Sequence, residues 1–544
     1  MRWPFKPGDV QLMGFIQVDI EGHSRIFELL PSKVAMELKE NLAKGIEREL
    51  SKLGLRKVFW AGDGGLFAKP CRHVNDYNDL IYAADYIFRV LNKINKDYSE
   101  YLKGIEEERI RLRVSAHCCQ VILHPSPEYW HSPDLNFFIK NERDIAFPDG
   151  FTISEDIYRH LDINLRRKFP TNLSFSISGK RFYVHSNYKV RVRPLPIDRL
   201  RELFPSSVKD IVDIVRSDPR GASYFIGDCV IFNQSLEEKG YNAHFIRLTF
   251  DNEYYQLPEE LESIVKQNIT EEDIRGDKTQ YRIIRFKQPL TDLPIVECKL
   301  QRIKYSIGSA LQRAMEKDPN QVLRIKKNGS VEETSLRKYL VRNILNFPES
   351  RMANFLTMHI VVVTQAGDNT KSCIVCMQRG DNVRYYPRFW SISIEEQIAL
   401  EDRGFLDCIR RGIREELIGS GGSVEDISLQ CFFVEAENLN QGIVAIAKVP
   451  YTFEELCDRR RSFAPDIAES KYIVGIPIED RDLLISILKS SEFKDEDLRR
   501  CYHDPYLARK PSGKERRWHP TSKLRLFTFL RRFWGLNELL RRLS

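Results

Sequence analysis

The chain has 544 residues, enough for three or four domains at ~150 residues each. With 42 % hydrophobic and 30 % charged residues, wholesale disorder is excluded. The net charge of +7 is unevenly placed: from Arg499 to Ser544 there are 13 Lys and Arg against 3 Asp and Glu, so that segment carries +10 and the other 498 residues carry −3. The basicity therefore belongs to the tail, and no nucleic-acid partner is expected. No run approaches the ~18 apolar residues of a membrane span, and the start, MRWPFKPGDVQLMGF, lacks the apolar core and cleavage site of a signal peptide. Eleven scattered cysteines do not form a disulfide framework. A cytoplasmic protein with reduced thiols is expected.

In chain order, residues 13–20 (MGFIQVDI) read as a strand and 32–52 as an amphipathic helix. Residues 55–68 read as a hairpin around Gly62-Asp63-Gly64-Gly65, followed by a long helix at 74–103 and a strand at 110–123. The charged, proline-bearing stretch 186–207 reads as a linker. Beyond it, GASYFIGDCVIFNQ and YNAHFIRLTFD suggest strands, and CKLQRIKYSIGSALQRAMEK from Cys298 suggests a helix. FLTMHIVVVTQ, SCIVCMQ, QCFFVEAE and GIVAIAKV return to strand patterning, interrupted by a helix at 401–418. The tail from Arg499 is basic and largely helical.

Asp19 ends an apolar strand, and Asp63 sits at the tip of the hairpin in Trp-Ala-Gly-Asp-Gly-Gly. Carboxylates at neighbouring strand ends, each near glycine, can converge on Mg²⁺ ions that bridge phosphate oxygens. An isolated Asp-Gly more commonly only makes a turn, and spacing alone does not separate the two readings. The motifs do. VDIEGHSRIFELL and FWAGDGGLFA resemble the two metal-binding motifs of class III nucleotidyl cyclases. RIRLRVSAHCCQVI, FPDGFTISEDIYRHL and LSFSISGKRFYVHSN resemble later segments of that family, in order, over residues 9–190.

This resemblance implies a ferredoxin-like β-α-α-β-β-α-β core working as a homodimer. It implies that Asp19 and Asp63, with the backbone carbonyl of Ile20, hold two Mg²⁺ (or Mn²⁺) ions. The chemistry it implies converts a nucleoside triphosphate to a 3′,5′-cyclic nucleotide and pyrophosphate, for signalling or antiphage defence. Two positions depart from the pattern. Phe59 stands where the family often has an adenine-reading lysine, and Asn136 with Lys140 stands for an asparagine–arginine pair that orients ribose and phosphates. Lysine keeps the charge but loses the bidentate fork; Arg143 is the alternative. The competing reading of these residues is a solvated helix face.

In RGIREELIG, Arg411 and Glu415 share a helix face at i, i+4 and Glu416 follows. Alone this is a surface ion pair, but strands before it, the loop GSGGS and a strand after it resemble a Nudix domain, whose helix glutamates bind Mg²⁺. The family signature wants glutamate at Gly412 and at Arg403, and glycine at Ile418; Gly419 is displaced by one. The resemblance therefore implies a degenerate Nudix-like domain that senses a nucleotide-like molecule.

Cys373-x-x-Cys376 and Cys118-Cys119 beside His117 read as buried thiols. The tail stripe Leu526, Leu530, Phe533, Leu536 and Leu540, with Arg525, Arg531, Arg532, Arg541 and Arg542 around it, fits a helix on a membrane surface or one docked on its own protein with its arginines in water. The expected fold is α+β: a cyclase-like domain at 9–190, a middle α/β region at 207–350, a Nudix-like α/β/α domain at 351–498 and a basic tail at 499–544. Two alternatives stand beside the cyclase: a nucleotide-binding regulatory protein without turnover, and a Nudix hydrolase.

Overall fold

The computed structural model describes residues 6, 8–21, 30–103, 109–146, 149–171, 174–177, 180–186, 197–204, 208, 224–231, 246–287, 296–327, 330–341, 351, 353, 355–368, 370–466, 469–506 and 516–543. The chain forms two compact units, 1–192 with 290–295, and 193–289 with 296–544. The second unit takes in residues of all three segments expected at 207–350, 351–498 and 499–544, apart from 290–295. The expected linker at 186–207 contains a helix at Ile197–Leu203, and 187–196 and 205–207 lie outside the described residues.

In the first unit, β1 (Val10–Ile20) is the third strand of a seven-stranded sheet. It pairs antiparallel with β3 (Gly64–Pro70) and β4 (Leu112–Ile122); β2 (Arg56–Ala61) closes the β2–β3 hairpin. β5 (Phe151–Ser154) runs parallel to β4 and leads to β7 (Lys180–Val184) and β6 (Ser174–Ile177). Two helices, α1 (Ser32–Ser51) and α2 (Val74–Asp97), cover one face. α1 buries Ala35, Leu38, Leu42, Ile46 and Leu50, a helical three-and-four spacing, against Ile16, Val18 and Ile20. Strand alternation sends Phe15, Gln17 and Asp19 to the opposite face, where α3 (Pro133–Lys140) and α4 (Glu142–Ile145) lie.

The second unit is built on a ten-stranded sheet. Its hairpin β8–β9 (Tyr224–Ile226, Cys229–Ile231) joins the edge of β19 (Glu425–Glu435), so the middle region completes this sheet. A separate three-stranded sheet holds β10 (Ile246–Tyr254), β12 (Val296–Lys304) and β11 (Thr279–Lys287) in that order, and β13 (Val322–Lys327) pairs antiparallel with β14 (Ser330–Ser335). The segment from Cys298 expected as one helix is β12 followed by α5 (Tyr305–Lys317): Val296, Cys298 and Leu300 bury alternate side chains, a two-residue period.

In the main sheet β15 (Leu356–Val363) runs parallel to β20 (Gln441–Lys448) and meets β16 (Cys373–Arg379) only at Val363↔Ile374. The two then splay. β17 (Trp390–Ile392) pairs with β16 and β18 (Ile394–Gln397) with β15, filling the fork. Ser393, at φ 57°, turns the chain between them, and its hydroxyl accepts from the Val362 amide at 2.9 Å and donates to the Val375 carbonyl at 2.6 Å. Helices α6 (Phe405–Ile413) and α7 (Phe453–Phe463) pack on one face; α8 (Ser522–Trp534) and α9 (Leu536–Leu543) pack on the other. α6 starts four residues later than expected, after turns through 401–404, and passes into a π turn at Arg414–Ile418. The tail helix is docked, but Arg525 and Arg531 are buried rather than in water. Among the described residues no helix is long and apolar enough to cross a membrane, and all eleven cysteines are buried free thiols.

Candidate functional sites

The first site lies at the end of β1. The register sets Asp19 opposite Gly64 and Ala61 opposite Gly64, leaving Gly62-Asp63 as a two-residue turn. Gly62 takes φ 57°, and a Cβ at Gly64 would come within 2.6 Å of the Val18 carbonyl oxygen, so the turn lies directly on the strand end. The Ile20 amide donates to the Asp63 carbonyl at 2.8 Å and ties the two together. Asp19 is buried and Asp63 half-buried.

Three groups that sequence reasoning missed complete this corner. Arg113 on β4 donates to Asp19 Oδ2 at 3.0 Å and pairs with Glu21. Glu142, at the start of α4, accepts from Gln17 at 2.6 Å. Burial raises the Asp19 carboxyl above its ordinary value, Asp63 adds repulsion, and Arg113 and Glu142 offset part of it. Burial, then the Asp19 charge, pushes Glu142 up to about 8. Four carboxyl groups, Asp19, Glu21, Asp63 and Glu142, lie at this corner around Arg113, so it is short of positive charge. That donor set, hard oxygens with Asp19 and Asp63 at its centre, fits a divalent cation. No three His, Cys, Asp or Glu among the described residues are already gathered around one point.

Asn136 and Lys140 are exposed on α3 and contact neither aspartate within this chain. Arg143 falls in α4, but its side chain lies outside the described residues. Phe59 is half-buried on β2, opposite Leu66 beyond a bulge.

The second site is a cavity of about 1070 Å³ in the fork of the second unit. Because successive strand residues face opposite ways, Glu395 and Glu396 on β18 serve different sides. Glu395 meets the tail: Arg525, from α8, pairs with it and also donates to the Ile392 carbonyl at 2.8 Å and Ser391 at 2.9 Å. Arg379 reaches Glu395 at 3.0 Å, and His359 and His519 lie 3.6 and 3.3 Å from it. Burial opposes the Glu395 charge, but His519, Arg379 and Arg525 outweigh it and hold the carboxyl well below the ordinary range. Burial and the Arg525 charge push His359 down to about 4.

On the other side Arg411 gathers acids. It donates to Glu396 at 2.9 Å, Glu415 at 3.1 Å and Asp402 at 2.8 Å. Glu416, one residue on, is 6 % exposed and lines the cavity. Burial, with Glu469 and Glu396 nearby, lifts its carboxyl well above the usual range. Arg411, Glu415 and Glu416 thus converge. Gly419 closes the π turn, its amide donating to Arg414 five residues back at 2.9 Å with φ 73°. The wider turn accommodates one extra residue before Gly419. Glu395, Glu396 and Arg525 escaped sequence reading; the adjacent acids in a short strand were their one local signal.

Neither a family model nor a curated protein matches the chain. Solved structures similar to part of it include the guanylyl cyclase Cya2, at 12 % identity and TM-score 0.29, covering 34 % of this chain and 95 % of that one. The adenylyl cyclase CyaB from P. aeruginosa is 13 % identical with TM-score 0.27, covering 32 % and 94 %. The guanylate cyclase domain of RhGC from Catenaria anguillulae is 17 % identical with TM-score 0.24, covering 33 % and 100 %. All three are nucleotidyl cyclases, and the likeness is confined to about a third of this chain.

Proposed function

We propose that the first unit is a nucleotidyl cyclase that turns a nucleoside triphosphate into a 3′,5′-cyclic nucleotide and pyrophosphate. The observation that carries it is the turn Gly62-Asp63 seated on the end of β1, which sets Asp63 beside Asp19 in a corner short of positive charge. Asp19, Asp63 and the Ile20 carbonyl would hold Mg²⁺, which when bound favours the ionised ribose 3′-hydroxyl and offsets triphosphate charge. The 3′-oxygen bonds to the α-phosphorus as the bond to the β-phosphate oxygen breaks. Asn136 and Lys140 are exposed, away from Asp19, and would serve the site of a second copy, steadying ribose and phosphates across a homodimer. The second unit we read as a Nudix-like, ligand-binding sensor, because Arg411, Glu415 and Glu416 gather at a large cavity.

One observation favours a second reading, nucleotide binding without turnover: Arg113 already occupies Asp19 Oδ2. Incubation with Mg²⁺ or Mn²⁺ and each ribonucleoside triphosphate, with products resolved by mass, separates the readings. Cyclic monophosphate supports the cyclase, no turnover the binding protein, and plain monophosphate a hydrolase in the second unit.

A further inference from the structure

The cavity of the second unit is ill suited to phosphate. Among the described residues nine Asp and Glu line it, against Lys278, Arg379 and Arg411. Arg379 is engaged by Glu395, Arg411 is divided among Glu396, Glu415 and Asp402, and Lys278 stands exposed beside Asp277. Neither arginine is left to meet a phosphate ester, and like charges in a partly enclosed space repel one. An acidic lining alone does not define a ligand. The polar groups left without partners do.

Phe355, just before β15, and Thr357 and His359 within it lie at alternate positions and form one wall. His359 is 2 % exposed, and its Nδ1 lies 2.7 Å from a guanidinium nitrogen of Arg525. Arginine can only donate, so Nδ1 accepts. Burial holds the ring neutral, and its proton therefore sits on Nε2, which has no partner. Gln280, on β11, is 8 % exposed and lines the same cavity, and its Oε1 is equally unpartnered. An unmet buried donor and an unmet buried acceptor are both costly, and a ligand carrying the complementary groups relieves them. Burial, then the Glu395 charge, pushes the Glu435 carboxyl up to about 8, so at pH 7 it keeps its proton and is a further donor. Aromatic surface comes from Tyr385 and from Tyr305, stacked on Phe355 at 5.2 Å. Tyr386 at φ 50° and Leu439 at φ 60°, the latter between the lining residues Asn438 and Asn440, hold strained backbone of the kind that gathers at ligand sites.

We propose that this cavity takes an uncharged nitrogen heterocycle, as a free base or a nucleoside, and rejects the phosphate esters of the same compound. The inference rests on the reading of the second unit as a ligand-binding sensor and narrows it. A carbonyl or ring nitrogen of the ligand accepts from His359 Nε2, an N–H or hydroxyl donates to Gln280 Oε1, and the ring lies against Tyr385.

The test uses the full chain carrying Asp63→Ala, with chelator present so that no metal bridges phosphate to carboxylate. Uracil and adenine, the four ribonucleosides and their 5′-diphosphates are titrated by calorimetry. At least one base or nucleoside should saturate, and its diphosphate should bind about ten-fold more weakly or worse. Whether the free base saturates without its ribose distinguishes the two sources. Gln280→Leu should weaken binding about three- to ten-fold, the loss of one hydrogen bond. Tyr385→Leu, which removes the ring platform and should cost about ten-fold, serves if that variant does not fold. A diphosphate that binds as tightly as its nucleoside overturns the proposal and leaves the sensor reading intact. No saturable binding of any compound overturns both. Binding indifferent to Gln280→Leu and to Tyr385→Leu puts the ligand elsewhere and overturns the site.

Discussion

Replacing Arg525 by methionine tests whether the tail helix is part of the second unit's core. The guanidinium is fully buried and bonded to Glu395, His359, Thr521, Ser391 and the Ile392 carbonyl. Methionine fills much of its volume but leaves Glu395 buried with Arg379 as its remaining guanidinium partner at 3.0 Å. Removing one partner of a buried pair costs about 3–5 kcal/mol, which for a unit this large is roughly 4–7 °C in melting temperature. Calorimetry of the full chain should show one of its transitions falling by that amount.

Two controls sharpen the reasoning. Arg525→Met with Glu395→Leu removes both charges and should recover most of the loss, because an apolar pair avoids the desolvation that the ion pair must offset. In the parent, Glu395 is held below its ordinary value, so its contribution is present above the unfolded pKa of 4.5 and fades as pH falls through the folded one. Without Arg525 that carboxyl rises, and the gap between variant and parent should narrow from pH 7 to pH 5. A single variant that melts with the parent, or a double variant worse than the single, would refute the argument.

In the first unit, Asp63→Ala should melt like the parent, since the residue lies in a turn, yet cut cyclic-nucleotide formation by about ten-fold or more; retention of most activity sinks the ligand assignment. Burial and Asp19 raise Glu142 to about 8, so the proton it holds stabilises the fold fully below pH 4.5 and progressively less as pH rises through 8. With chelator present, Glu142→Gln should flatten that part of the stability curve; an unchanged curve contradicts it. Phe59 offers no hydrogen bond to a base, so in equal competition among ATP, GTP, CTP and UTP, ATP should not dominate, and a pyrimidine is favoured over GTP. Predominant cyclic AMP would show that reading to be wrong.

The parts of the molecule legible in its sequence are those decided locally. β1, α1, the β2–β3 hairpin and β15 follow their hydrophobic periods, and the Gly62-Asp63 turn follows from glycine chemistry. The segment from Cys298 misleads because its first seven residues belong to a strand whose Val296, Cys298 and Leu300 alternate at period two, while the rest cycles at helical spacing, and a single window averages the two. The tail misleads differently. Its leucine stripe is real, but α8 is covered on more than one side, and the arginine assigned to water meets Glu395 across 130 residues of chain. No periodicity encodes that contact.

Gly412 carries the same point to the candidate cavity. Compared position by position, a helix lacking a carboxylate at 412 reads as a site with a ligand missing. In space the position is filled: Glu396, sixteen residues earlier on another element, lies against the glycine, and a Cβ there would come within 2.9 Å of its Cβ and Cγ, so one of the two would have to shift. The glycine thus leaves room for the strand carboxylate. Chemistry depends on where an oxygen sits and what surrounds it, not on which element supplies it. A missing motif residue is therefore evidence of lost function only after the volume it would occupy has been inspected, and here that volume holds a carboxylate.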